Sequence, residues 1–484
     1  MQASANSVDN IKIDVNHEKV SLKEYLAYFS YGFGQCFSFG LVGTFILFFY
    51  TDILGISAVA ASIIFLIARI WDAVIDPIVA GFMDTRRTKH GKFRGYMKFT
   101  PILIVVSTIF CFMSPDISVT GKVIYAGATY ILWGTVYAFS DIPFWSLSTV
   151  ISNKGQDRTK LLTVANLGVY GGIGMVGFLV PILLGIFDKT NTPPISYLIT
   201  VGIIMIAAYI LMFLGYKYTK ERVLPSHNEK VTFKDVIESA KANKYMFKIL
   251  LVFFLNIFMN IVQGIILYFF TYNLNAPQLM SVFGIIGTLS AVGFLFIPIL
   301  TKYFKKRNIL RTLLALDILL RIAFFLIGYD STVLVITFLA ITQLLYSATG
   351  PIISAMLSET VEYSEVKTGK RTEAIVFGGQ TFAGKLSVAL AGALTGFILS
   401  LIGYQANVEQ TEFTLNGLFI AVSILPALGS FLRLLLLSKY DYTEDEFNEC
   451  IRILQDRKSK EVRFRDMGSG KLSHFLQAEQ DKNI

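Results

Sequence analysis

Residues 57–83 read SAVAASIIFLIARIWDAVIDPIVAGFM, and residues 84–89 read DTRRTK. The first stretch is long enough to cross a bilayer as a helix, which takes about 20 mostly apolar residues. It holds three ionisable side chains, Arg69, Asp72 and Asp76, and ends on a knot of positive charge. An apolar helix that stops at Arg and Lys predicts a membrane span with its basic end in the cytoplasm. Working outward, similar runs lie near residues 28–50, 98–115, 122–149, 161–187, 195–216, 246–272, 278–300, 309–329, 332–357, 374–403 and 413–437. The expectation is an all-α polytopic membrane protein with twelve transmembrane helices.

The connections sort by charge. Arg86, Arg87, Lys89, Lys92, Arg94 and Lys98 follow the second run, and Lys154, Arg158 and Lys160 follow the fourth. Lys217, Lys220, Arg222, Lys230, Lys234, Lys241, Lys244 and Lys248 follow the sixth. Lys302, Lys305, Lys306 and Arg307 follow the eighth, and Lys367, Lys370 and Arg371 the tenth. The alternate connections hold only Lys122 and Lys189. This alternation predicts an even helix count and both termini on the cytoplasmic side of the cell membrane. Residues 217–245, the longest internal connection, divide the chain into an N-terminal bundle (28–216) and a C-terminal bundle (246–438) of six helices each. Segments 1–27 and 439–484 are then cytoplasmic ends. Val231–Lys244 has the pattern of a short amphipathic helix. Each half carries a basic loop after its second helix, a weak parallel repeat that points to two pseudo-symmetric bundles of the major facilitator kind.

Composition excludes other classes. The 484 residues are 54% hydrophobic and 16% charged, against about 25% charged in soluble domains. The net charge of +9 belongs to topology, so no nucleic-acid partner is expected. Cys36, Cys111 and Cys450 make no disulfide framework. The polar stretch up to Lys23 lacks the pattern of a cleaved signal peptide, so the first helix is expected to be retained. Gly171, Gly172, Gly174 and Gly177 suit close helix packing and follow no strand, so they are not a nucleotide loop. No nucleophile–base arrangement or metal-ligand spacing marks an enzyme, and no cofactor beyond a coupling ion is implied. A monomer is the default.

Ionisable groups in lipid cost roughly 2.5–3.5 kcal/mol or more and usually face a cavity. Arg69, Asp72 and Asp76 share one helix face. Two carboxylates so close can hold Na⁺ or a proton between them, with Arg69 setting the field; the alternative is a salt bridge to another helix. Tyr137, Asp141 and Trp145 share a face of the fourth helix, where an acid flanked by aromatic rings suits a sugar; the alternative is a further cation ligand with packing rings. Gln380, Thr381 and Lys385 mark the eleventh helix. Lys385 can neutralise the acids when the ion is absent; otherwise it snorkels to the interface. Glu359, Glu362 and Glu365 end the tenth helix before Arg371, and with Arg158 they form either an interdomain latch or a solvated charged face. Asp317, Arg321 and Arg433 read as structural.

The stretches Tyr50-Thr-Asp-Ile-Leu-Gly, Ala68-Arg-Ile-Trp-Asp-Ala-Val-Ile-Asp-Pro, Gly91-Lys-Phe-Arg, Asp141-Ile-Pro-Phe-Trp-Ser, Glu362-Tyr-Ser-Glu-Val-Lys-Thr-Gly-Lys-Arg and Gly379-Gln-Thr-Phe-Ala-Gly-Lys span both halves. Through them the chain resembles the glycoside–pentoside–hexuronide:cation symporter family, the melibiose-permease type within the major facilitator superfamily. The resemblance implies cation-driven sugar uptake by alternating access. It implies that Asp72 and Asp76 bind the coupling cation and that Lys385 communicates with them. Asp141 and Trp145 then belong to the sugar site, and Arg158, Glu359, Glu362, Glu365 and Arg371 to a cytoplasmic lock. Three positions depart. Ile75 replaces an asparagine beside the second carboxylate, which shifts the expectation toward protons. Cys36, preceded by Gln35, replaces a sugar-binding acid, and Asn166 replaces a sugar-binding arginine. A glycoside, oligosaccharide or pentoside is therefore expected rather than melibiose, against Asp141, Trp145 and Tyr137, with Asn166, Gln35, Gln380 and Thr381 lending hydrogen bonds. Two rival readings are the same fold carrying an amphipathic lipid, and a non-transporting sugar sensor.

Overall fold

The computed structural model describes residues 20–85, 91, 93–152, 155–222, 243–290, 297–368 and 373–466, and its regular elements there are all helices. The N-terminal half comprises α1 (Leu22–Phe48), α2 (Ala58–Thr85), α3 (Arg94–Cys111), α4 (Val119–Ile151), α5 (Gly155–Phe187) and α6 (Pro193–Tyr218). The C-terminal half comprises α7 (Lys244–Phe254), α8 (Ile257–Tyr268), α9 (Leu279–Ser290), α10 (Ile297–Tyr303), α11 (Lys306–Ile327), α12 (Thr332–Thr368), α13 (Glu373–Leu401) and α14 (Glu412–Ser438), and α15 (Glu444–Asp466) follows. All but two residues of the expected helix Val231–Lys244 lie outside the described residues, as do Arg86, Arg87, Lys89, Lys92, Lys154, Lys230, Lys234, Lys241, Lys370 and Arg371.

Local chemistry sets the ends. Ser21 accepts from the Glu24 amide at 3.3 Å while the Glu24 carboxylate accepts from the Ser21 amide at 3.1 Å, a reciprocal cap that starts α1. At its far end α1 runs into a π-helical turn, Phe49–Ile53, and α8 runs into the same kind of turn at Phe269–Asn273. The weak repeat in sequence thus has a structural counterpart at the end of the first apolar span of each half, Leu22–Ile53 and Lys244–Asn273.

Ten of the described helical stretches are long and apolar enough to cross a membrane. The two remaining expected runs are helical but fall short of that measure. Leu279–Ser290 is apolar and short, and residues 291–296 of its run lie outside the described residues. Helix α11 carries Arg311, Asp317 and Arg321 beyond its basic first turn. The Asp317–Arg321 pair is buried at 2.9 Å, with Ser430 donating to Asp317 at 2.6 Å, so these charges are met inside the C-terminal half, as a structural role requires.

Helix α1 packs on α5 and α6, and α11 on α14, within the halves; α5 packs on α9, and α2 on α13, between them. One apolar cluster joins the N-terminal half to residues such as Ile265, Tyr268, Phe269 and Leu399 of the C-terminal half. A second, including Tyr245, Ile353, Val361 and Cys450, stays at the basic end of the C-terminal half. Among the described residues, the halves share a core at the poorly basic face. The segment α15 docks on the basic end through Lys305–Asp445 at 2.8 Å and the Lys306 amide to Glu444 at 2.7 Å.

Candidate substrate and coupling-ion site

The site begins on α2. Arg69 Nη1 donates to Asp72 Oδ2 at 2.9 Å, and its Nη2 donates to the Tyr130 hydroxyl of α4 at 3.1 Å. Asp72 presses into the α2–α4 seam at Gly134, where a Cβ would come within 2.9 Å of Asp72 Oδ1. A larger residue there would push the carboxylate out of the seam. One turn on, Asp76 pairs with Lys385 of α13, from the other half. The Lys385 side chain is 53% exposed and that of Asp76 22%, so the pair is not sealed in the protein interior. Lys385 reaches its acid instead of snorkelling to an interface.

Asp141 lies on α4 beside this pair. Its Oδ1 accepts from Gln35 Nε2 at 2.9 Å and from Trp145 Nε1 at 3.1 Å. The amide of Gln35 is oriented in turn, since its Oε1 accepts from Ser140 at 3.1 Å. Lys385 interacts electrostatically with Asp72 and Asp141 as well as touching Asp76. One ammonium therefore feels three carboxylates on two helices. Tyr137 packs against Phe39 and Trp133, with ring centroids 5.6 Å and 5.3 Å away.

Other expected residues already have partners of their own or lie outside what is described. Asn166 is exposed and donates to its own helix at the Leu162 carbonyl, 2.8 Å away. Gln380 donates to Ser354 of α12 at 2.7 Å. The Asn166 amide answers an acceptor of its own helix, as short polar side chains in apolar helices tend to do. Glu359 pairs with Lys306 at the start of α11, a partner within its own half and not across the halves. Glu362 and Glu365 are half-buried in the last turns of α12. The side chains of Arg158 and Thr381, and all of Arg371, lie outside what is described. Sequence reading did not single out Tyr130, Gly134 or Ser140, whose signal was their spacing on the Asp141 helix.

Two bundles of helices enclosing charges that meet at their interface define a secondary transporter of the major facilitator fold, and not an enzyme. Residues 28–444 match the family model described as MFS/sugar transport protein, and the chain belongs to that family. It is 32% identical over 91% of its length to the uncharacterized symporter YnaJ of Bacillus subtilis, covering 96% of that protein. It is 31% identical over 86% of its length to the isoprimeverose transporter of Lactiplantibacillus pentosus, covering 88% of it. Among solved structures it resembles the nucleoside transporter NupG, with a TM-score of 0.60 and 14% identity over 87% of this chain and 100% of that one, a likeness of fold. The protein is a multi-pass membrane protein of a sugar-transporting symporter family.

Proposed function

We propose that this chain couples uptake of a glycoside, oligosaccharide or pentoside to a cation, Na⁺ or H⁺, by alternating access between two six-helix halves. Both termini and the basic face lie in the cytoplasm on this reading, and all twelve apolar runs cross the membrane. The observation that carries it is Lys385 bridging to Asp76 across the halves while its charge acts on Asp141. In their ordinary charge states Asp72, Asp76 and Asp141 face Arg69 and Lys385, three negative charges against two positive. One monovalent cation completes neutrality. A cation at Asp76 competes with the Lys385 ammonium and frees it to move toward Asp141, where Gln35 and Trp145 already point donors at the carboxylate. Sugar hydroxyls then exchange with those donors, and the Trp145 ring offers an apolar face. Asp76→Cys is expected to abolish uphill sugar accumulation while the protein still reaches the membrane. A panel of sugars taken up with and without Na⁺, at several pH values, identifies cargo and ion. Unchanged concentrative uptake by Asp76→Cys removes the cation assignment.

A further inference from the structure

Asp52 stands out among the buried carboxylates that the mechanism above leaves unused. Asp52 lies in the π-helical turn that ends α1, is only 7% exposed, and has no cationic partner among its hydrogen bonds. Its oxygens are held by hydroxyls. Tyr404 donates to it at 2.6 Å and 2.7 Å, and Thr51 at 2.6 Å. Tyr272 also donates to Asp52. Asn407 Nδ2 donates to the Asp52 carbonyl at 2.7 Å, and Thr51 meets the Tyr268 hydroxyl at 2.8 Å. Tyr268, Tyr272, Tyr404 and Asn407 all belong to the C-terminal half.

The arrangement follows the internal repeat. The turns read Phe49-Tyr-Thr-Asp-Ile and Phe269-Phe-Thr-Tyr-Asn, so Asp52 and Tyr272 hold equivalent positions in the two halves. The two turns face each other, and the position that is an acceptor in one is a donor in the other. Beside them the halves touch at close range. A Cβ on Gly396 of α13 would lie 2.6 Å from the Ala58 carbonyl of α2 and would also meet the Ser62 hydroxyl. A Cβ on Gly177 of α5 would lie 3.1 Å from Gly284 of α9.

We infer that Asp52 is the acceptor of an outer latch, closed by the hydroxyls of Tyr272 and Tyr404, that holds the two halves together at the poorly basic face. The inference rests on the alternating-access reading. Opening that face must pull Tyr272 and Tyr404 away from a carboxylate that cannot stay buried without donors. The face therefore opens as water replaces both hydroxyls, and the latch sets how readily it does so. Hydroxyl donors suit a gate that must reopen: they satisfy the charge without the deep well of a buried ion pair.

The test reads sidedness, which a loss of stability alone would not change. A cysteine at position 166, which is exposed on α5 and which the transport reading turns toward the space between the halves, is placed in a background lacking Cys36, Cys111 and Cys450. It is labelled with a membrane-impermeant thiol reagent on intact cells and on inside-out vesicles. The parent is expected to label from the basic side. Tyr404→Phe and Tyr272→Phe, which keep the rings, are each expected to raise labelling from the opposite side by about tenfold or more, the scale of one hydrogen bond to a charged group. Asp52→Ala is expected to do the same, with Tyr404→Phe adding little on top of it. A membrane-permeant reagent that labels all forms alike shows that each variant is folded. With that control met, labelling of every variant within twofold of the parent on both sides overturns the latch. Because no sugar or ion enters the measurement, failure of the cation–sugar reading would show in uptake and leave this readout intact.

Discussion

Gly284 is the position where one methyl group should tip the conformational balance. A Cβ there would lie 2.6 Å from the Gly177 carbonyl carbon and the Phe178 amide nitrogen, and 2.9 Å from the Gly174 carbonyl oxygen. All three are backbone atoms of α5, so no side chain can turn aside. Carbon atoms rest at about 3.5–4.0 Å, so α9 must retreat from α5 by roughly 1 Å. Overpacking of this kind costs about 1–3 kcal/mol. The cost falls on the state in which α5 and α9, from opposite halves, are in contact. It therefore shifts the equilibrium toward opening of that face by about 5–150-fold. The control lies on the same helix: at Gly287 nothing stands within 4 Å of a built Cβ, so Gly287→Ala should change little. The assay is impermeant thiol labelling of a cysteine at position 166 from the poorly basic side. Gly284→Ala should label at least about fivefold faster than Gly287→Ala. Equal rates in the two variants would show that the α5–α9 contact does not gate access to position 166.

Two further outcomes follow from other sites. Asp141→Asn keeps the shape of the acceptor but removes the charge that Gln35 and Trp145 point to; hydrogen bonds to charged groups are worth about 1.5–3 kcal/mol, so sugar affinity measured by titration calorimetry should fall about tenfold or more, and an unchanged affinity would remove Asp141 from the sugar site. Asp317→Ala leaves the Arg321 guanidinium buried without its acid, which costs about 3–5 kcal/mol; the unfolding midpoint in detergent should drop clearly and recover in Asp317→Leu with Arg321→Met, and a midpoint equal to the parent's would mean the pair holds nothing together.

How far the sequence could be read depended on what kind of force fixed each feature. The helices and their alternation follow from solvent, which acts on every residue of a run, so ten runs appear as helices able to span a membrane. Helix α11 is harder to read because hydropathy counts Asp317 and Arg321 as exposed charge, whereas each cancels the other sideways. The faces of α2 and α4 were legible because spacing alone puts Arg69 beside Asp72 and Asp141 beside Trp145. Spacing says nothing about partners 309 residues apart, the separation of Asp76 and Lys385; that pairing was suggested by a lone lysine in an apolar helix and by resemblance to a family. Spacing also did not show the partners that other side chains find in the structure: the Leu162 carbonyl for Asn166, Ser354 for Gln380, and Lys306 of its own half for Glu359. Asp52 escaped notice because it follows directly on the last residues of an apolar run, where an acid reads as the start of a loop, and a π-helical turn leaves no periodicity to betray it.

The inter-half ties lie in series along α2, and this order bears on coupling. Ser62 meets Gly396 near the poorly basic face, and Asp76 meets Lys385 deeper in. Fourteen residues separate Ser62 from Asp76, which at the helical rise is about 21 Å. On the proposed coupling reading, a cation arriving at Asp76 would act only on the deep tie, because it would compete with an ammonium and not with the hydroxyls around Asp52. With Lys385 released, the close helix contacts and the hydroxyl latch are what still hold the face shut. Ion binding would then lower the cost of opening without opening the face by itself. Breaking both ties should open the face further than breaking either one. Labelling at position 166 in Asp52→Ala, in Lys385→Ala and in the double variant measures whether the two ties bear on the same motion. If the two effects simply add in free energy, each tie restrains that motion independently. If the double variant labels no faster than Asp52→Ala alone, the deep pair does not restrain opening, and its role is confined to the charge at the sugar site.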